Sequence, residues 1–338
     1  MLASLSVLIL GALAGDARPL DRVDLADGTK IEGRVVFEDA KTVVVRVGTR
    51  EREVERSDVK KVVSRAASQR EAIERWLALG PVDYRGMLDL AAYCRRNDLL
   101  EEMRLIVWQV VLADPANAEA REFLGHESTK NGWLVREGAR KVESDKYLKS
   151  HAAWNDAFEL ATTHFQLRTN APMREAIALA FDLECLYQAF YALLGQELRL
   201  REVTEPLTAN VHTDAKSYPG IATGRNAYCL AQTRTLEVNG AAGVDIGLLM
   251  HEGTHLLIYS TAEGTRAAAG AIPAWIDEGF AEYMSKGMDG GPGRLEFMKG
   301  APWRAHFQKH AQEKAPYDLS RLLNFDSADF LASANADL

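Results

Sequence analysis

The sequence predicts an α+β chain, on three observations. Residues 23–63 are β-branched and alternating, apolar spacing turns helical from about residue 68, and two apolar helical segments in the last third carry histidines and carboxylates one turn apart. At 338 residues, with 47% hydrophobic and 26% charged side chains, the chain has the composition of a core-forming protein with room for two or three domains. Forty Lys and Arg against 48 Asp and Glu give a net charge of -8. No basic block is long enough to follow a phosphate backbone, so no nucleic-acid partner is expected. Cys94, Cys185 and Cys229 are widely spaced and odd in number, which fits buried thiols better than a disulfide framework or a Cys-x-x-Cys metal pair.

Residues 1–14 read as a signal peptide. The apolar run over 2–14 is too short to span a bilayer and ends in small residues, with cleavage expected after Ala14, although no Lys or Arg precedes Arg18. The expected location is therefore secreted, periplasmic or cell-envelope, with no stable membrane insertion once the leader is removed. Residues 21–65 form a small β-module: Asp27-Gly28 signals a hairpin turn, 31–37 and 42–47 are rich in Val, and 50–56 alternates charge as an exposed strand. A barrel of the SH3-like or Sm-like kind is the expected architecture.

Residues 66–140 are read as helical. Ile73, Trp76 and Leu77 share a face, Met87, Leu88, Leu90, Ala91 and Tyr93 resume after the Gly80-Pro81 break, and two further amphipathic helices lie over 99–112 and 116–124, separated by Asp114-Pro115. The second half looks like one tetratricopeptide-like hairpin, too little for a solenoid, so a spacer role is expected. Gly132-Trp133 and residues 136–146 read as a linker. The last domain, 145–338, opens with a helix at 154–160 and a short strand at 164–168. A long helix follows over 172–194, striped by Ile177, Ala180, Phe181, Leu183, Leu186 and Phe190 and ended by Gly195. Strands at 207–212 and 228–238 come next, and Asp245 is placed to cap a further helix.

That further helix carries His251-Glu252-Gly253-Thr254-His255. Residues i and i+4 stack on one helical face, so both imidazoles can meet one zinc ion, while Glu252 beside them can act as general base on the water it activates. Apolar neighbours on both sides, Leu248, Leu249 and Met250 before and Leu256, Leu257 and Ile258 after, mark the helix as buried. Pro273 opens a second helix in which Glu278 is the expected third ligand. Glu282, one turn on, and Asp277 are the expected hydrogen-bond partners for the far nitrogens of the ligand histidines. The fourth position is left to water, the pattern of a catalytic site with one zinc per chain.

The segments "LLMHEGTHLLI" and "PAWIDEGFAEY" together resemble the gluzincin zinc metallopeptidases, and their spacing is most similar to the peptidase MA-like members. The resemblance implies a zincin-like domain, zinc held by His251, His255 and Glu278, Glu252 as general base, and hydrolysis of a peptide or protein substrate. It also implies a downstream oxyanion donor, for which Tyr317 is favoured over His306 and His310. Such enzymes hold an extended peptide against an edge strand beside the motif helix, and residues 228–238 are the expected strand. No Gly-Xaa-Met-Glu-Asn element of the aminopeptidase N branch precedes the motif. The competing expectation is a zincin-like domain that no longer cleaves and serves as a binding or scaffold protein.

Overall fold

In a computed structural model of the chain, residues 19–261 and 272–285 are described; the expected signal peptide and Tyr317, His306 and His310 lie outside them. Alternating apolar residues build the first sheet from β1 (Asp21–Leu25), β2 (Lys30–Glu38), β3 (Thr42–Val47), β4 (Arg50–Glu55) and β5 (Val59–Val63), in the order β4-β3-β2-β1-β5. Neighbours are antiparallel throughout. Val23, Val43, Val45, Val54 and Val59 fill one face. A register shift at Val36 turns β2, so that Val36 and Phe37 pack with Val44 as a separate cluster. This second cluster faces the rest of the chain: Glu202 donates its amide to the Val36 carbonyl (2.7 Å), and the guanidiniums of Arg199 and Arg201 lie over the Phe37 ring.

Four helices follow, α1 (Arg65–Ala78), α2 (Tyr84–Arg96), α3 (Leu100–Ala113) and α4 (Ala118–Phe123). Their starts have local causes: Ser64, Asp83 and Asn117 each accept a backbone N–H of the first turn through the side chain. The expected linker over 132–146 is instead structured. Residues Glu127–Thr129 (β6), Gly132–Glu137 (β7) and Arg140–Glu143 (β8) form a three-stranded antiparallel sheet, with Gly138 at φ 58 in the turn between β7 and β8. Ser144–Ser150 is α5.

The sheet that carries the site comes next. The expected helix at 154–160 is a short 3-10 turn followed by β9 (Phe158–Ala161), because Phe158 pairs with Thr169 of β10 (Phe165–Thr169) rather than closing a helical turn. Helix α6 (Met173–Phe190) then crosses to β11 (Leu207–His212). The expected strand over 228–238 divides into β12 (Ala227–Leu230) and β13 (Thr235–Asn239), an antiparallel pair whose connection holds Arg234 at φ 51. The order is β12-β13-β11-β10-β9, parallel in the middle and antiparallel at both edges. Helices α6 and α7 (Ile246–Thr261) pack on this sheet, and α8 (Ala274–Ser285) packs on α7.

Residues Met173–Gly195 are long and apolar enough to cross a membrane by length and composition, yet most of that window is buried inside the protein. Phe181, Leu183 and Leu186 of α6 are fully buried, each such side chain contributing roughly 1.5–3 kcal/mol. One continuous cluster joins helices α1 to α4, the sheet β9 to β13, α6 and α7. Trp76 of α1 stacks on Phe181 at 4.2 Å, and a buried polar knot ties the same elements. Glu184 accepts from the His164 amide (2.8 Å), the His164 Nδ1 (2.7 Å) and the Gln69 Nε2 (2.6 Å).

Candidate metal centre

Asp245 starts α7 as expected, its side chain accepting the Leu248 amide at 3.1 Å and its carbonyl the Leu249 amide at 2.9 Å. Leu249, Met250, Leu256 and Leu257 are fully buried, which fixes the rotation of the helix and leaves His251 and Glu252 on its half-buried side. Gly253 faces α6, where a Cβ would lie 2.6 Å from the Leu186 Cδ2, so the helix approaches closely only because that position has no side chain. Thr254, fully buried, returns its hydroxyl to the Met250 carbonyl at 2.7 Å.

His251, His255 and Glu278 converge. The two Nε2 atoms are 3.3 Å apart, and Glu278 Oε2 lies 3.3 Å from the first and 3.6 Å from the second. Two ligands about 2.05 Å from a tetrahedral ion are separated by about 3.3 Å, so this triangle already has the dimensions of a first coordination sphere. The three residues could hold one divalent metal.

Asp277 positions His255. Its Oδ1 meets His255 Nδ1 at 2.7 Å, which turns Nε2 toward the other donors, and its Oδ2 accepts the Tyr259 hydroxyl at 2.5 Å. The sequence pointed to Asp277 but not to Tyr259, whose place one turn after His255 on the same face was the available signal. Glu282 stands 3.8 Å from His251 Nδ1, within ion-pair range and beyond a hydrogen bond.

The charges interlock. The His251 and His255 imidazoles hold the Glu278 carboxyl down at about 2. Burial alone would lower His255, but the Asp277 hydrogen bond, and after it Glu278, raise it to about 10. Burial raises Glu252, with His255 and His251 opposing, so its proton affinity moves toward neutral pH.

Two further residues lie near the site, one on the sheet and one in the connection between β11 and β12. Cys229 lies on edge strand β12 beside α7, and its thiol is raised to about 12 by burial and by Glu252, which keeps it a neutral group. Tyr218 is buried with a hydroxyl that has no partner among the described residues, and burial raises it to about 12. Its ring lies against Gly220, where a Cβ would come within 2.5 Å. The chain matches no protein-family model, and neither the curated proteins nor the solved structures contain a match to it.

Proposed function

We propose that the chain is an exported zinc-dependent peptidase of the gluzincin type, cleaving peptide bonds in a peptide or protein substrate. The observation that carries the reading is the donor triangle with edges of 3.3, 3.3 and 3.6 Å, set beside Glu252 on the same helix. Two imidazoles and one carboxylate favour zinc over magnesium or calcium, which take oxygen ligands. A three-ligand set that leaves a position open is the catalytic rather than the closed structural type.

When bound, zinc supplies a Lewis acid that makes water nucleophilic near neutral pH and polarises a carbonyl. Glu252 accepts the proton that the attacking water gives up and returns it to the leaving nitrogen, so the peptide C–N bond breaks with a neutral amine as product. Asp277 and Tyr259 keep His255 oriented while this happens. An extended peptide aligns along β12, the edge strand that packs beside α7.

The mixed sheet with an antiparallel edge next to the motif helix supports a zincin-like domain. Strand order β4-β3-β2-β1-β5 with a bent β2 supports the small-barrel reading of residues 21–65. Export rests on the apolar residues 2–14.

The test is metal analysis of the purified protein together with hydrolysis of a generic fluorogenic peptide, with Glu252→Gln as the control. One zinc per chain, and turnover lost in Glu252→Gln with zinc retained, is the expected result. Zinc bound with turnover unchanged in that variant overturns the mechanism.

A further inference from the structure

On the far side of α6 from Gly253 lies a cavity of about 440 Å³. Ile177, which lines it, and Leu186, which meets α7, are nine residues apart, half a turn out of phase at 3.6 residues per turn. The Gly80-Pro81 break opens the cavity by turning the chain between α1 and α2, and α3 and α6 close it. Its walls are apolar, chiefly Trp76, Leu79, Met87, Leu112 and Ile177. Volume and lining are those of a small-molecule site, mostly apolar with a few polar groups that fix orientation.

Only two of its lining side chains are polar, Gln109 and Arg174. Gln109 Nε2 is shut off from solvent behind the cavity wall, with no hydrogen-bond partner among the described residues, which leaves Arg174 as the polar group that a ligand can reach. Arg174 is exposed at the edge of the cavity and makes one long hydrogen bond, 3.4 Å to the Leu112 carbonyl; no carboxylate pairs with it among the described residues.

We propose that this cavity binds an amphipathic carboxylate, its apolar body against Trp76, Met87, Leu112 and Ile177 and its head group paired with Arg174. A planar guanidinium matches a carboxylate through two parallel hydrogen bonds. An amine would be repelled by Arg174, and a phosphate dianion would meet only one cation. The site stands apart from the metal centre, so it holds whether or not the chain cleaves peptides.

The experiment uses the full chain and decanoate, below its micelle concentration, followed by calorimetry and by tryptophan fluorescence. Saturable one-to-one binding is expected, weakened about tenfold or more in Arg174→Ala, an exposed position whose change leaves the fold intact. Methyl decanoate, which lacks the charge, is expected to bind weakly and equally to both proteins. Trp76→Phe is expected to abolish the fluorescence change. Absence of saturable binding, equal affinity in Arg174→Ala, or a fluorescence change that survives Trp76→Phe each overturns the proposal.

Discussion

Asp277→Asn tests the metal centre without touching a ligand. In the native protein one carboxylate oxygen holds His255 Nδ1 at 2.7 Å and the other holds the Tyr259 hydroxyl at 2.5 Å. The amide keeps the shape but loses the charge, and one of its two positions becomes a donor. Outer partners of ligand histidines are typically worth 10–100-fold in metal affinity, about 1.4–2.7 kcal/mol. At a free zinc concentration of about 100 times the native Kd, binding stabilises the native protein by about 2.7 kcal/mol. By the same relation a tenfold weaker variant gains about 1.4 kcal/mol and a hundredfold weaker one about 0.4 kcal/mol. Competition against a chromogenic chelator gives the Kd, and urea unfolding with zinc or with EDTA gives the stabilisation. Tyr259→Phe, which removes only the outer hydrogen bond, is expected to fall between native protein and Asp277→Asn. An unchanged Kd and an unchanged zinc-dependent stabilisation in Asp277→Asn would refute the role given to this carboxylate.

Gly253→Ala places a methyl 2.6 Å from Leu186 Cδ2, so the metal-free protein is expected to lose about 1–3 kcal/mol in urea unfolding, and an unaltered midpoint would contradict the close α6–α7 approach. Tyr218→Phe deletes a buried hydroxyl that has no partner among the described residues; stability is expected to rise by about 1 kcal/mol, and a loss of that size would mean the hydroxyl has a partner after all. Glu184 is fully buried; burial would raise its carboxyl, but His164 charge and hydrogen bonds from His164 and Thr162 hold it below its ordinary value. A carboxyl lowered on folding stabilises above its unfolded pKa of about 4.3 and loses that contribution as pH falls through the folded value. Glu184→Gln is therefore expected to be less stable at neutral pH, with the gap to the native protein narrowing below about pH 4. A gap that stays constant with pH counts against it.

The metal centre was the most legible part of the chain, because one turn of helix fixes two ligands and needs no tertiary information. His251 and His255 followed from i and i+4 spacing, and Glu278 from an acidic residue in an apolar frame. Tyr259 shares the His255 face one turn on, but its role shows only once its partner, Asp277, arrives from another helix. Strands with their own signal, the β-branched run of β3 and the alternation of β11, were equally legible. Residues 154–160 misled because apolar Trp154, Ala157 and Phe158 sit at helical spacing while Phe158 and Leu160 alternate as in a strand, and pairing with β10 decided it. The stretch over 132–143 read as a linker since both faces of β7 and β8 are largely charged and exposed, with Val135 its one buried residue. The 228–238 strand concealed a turn because Arg234 adopts a left-handed conformation that nothing in its type announces.

The Glu184 knot bears on how this protein can be trimmed. Gln69 belongs to a helix before the site-bearing sheet, His164 to the loop that enters β10, and Glu184 to α6, and all three meet in a solvent-free contact. Cutting the chain after residue 140 would strip Trp76 from Phe181 and leave the Glu184 carboxylate one donor short in the interior. The helices that look like a spacer are thus an inseparable wall of the half that carries His251, His255 and Glu278. A fragment beginning at residue 145 is expected to come out of cells aggregated, whereas one that keeps residues 66–140 retains the surface its own core was built against.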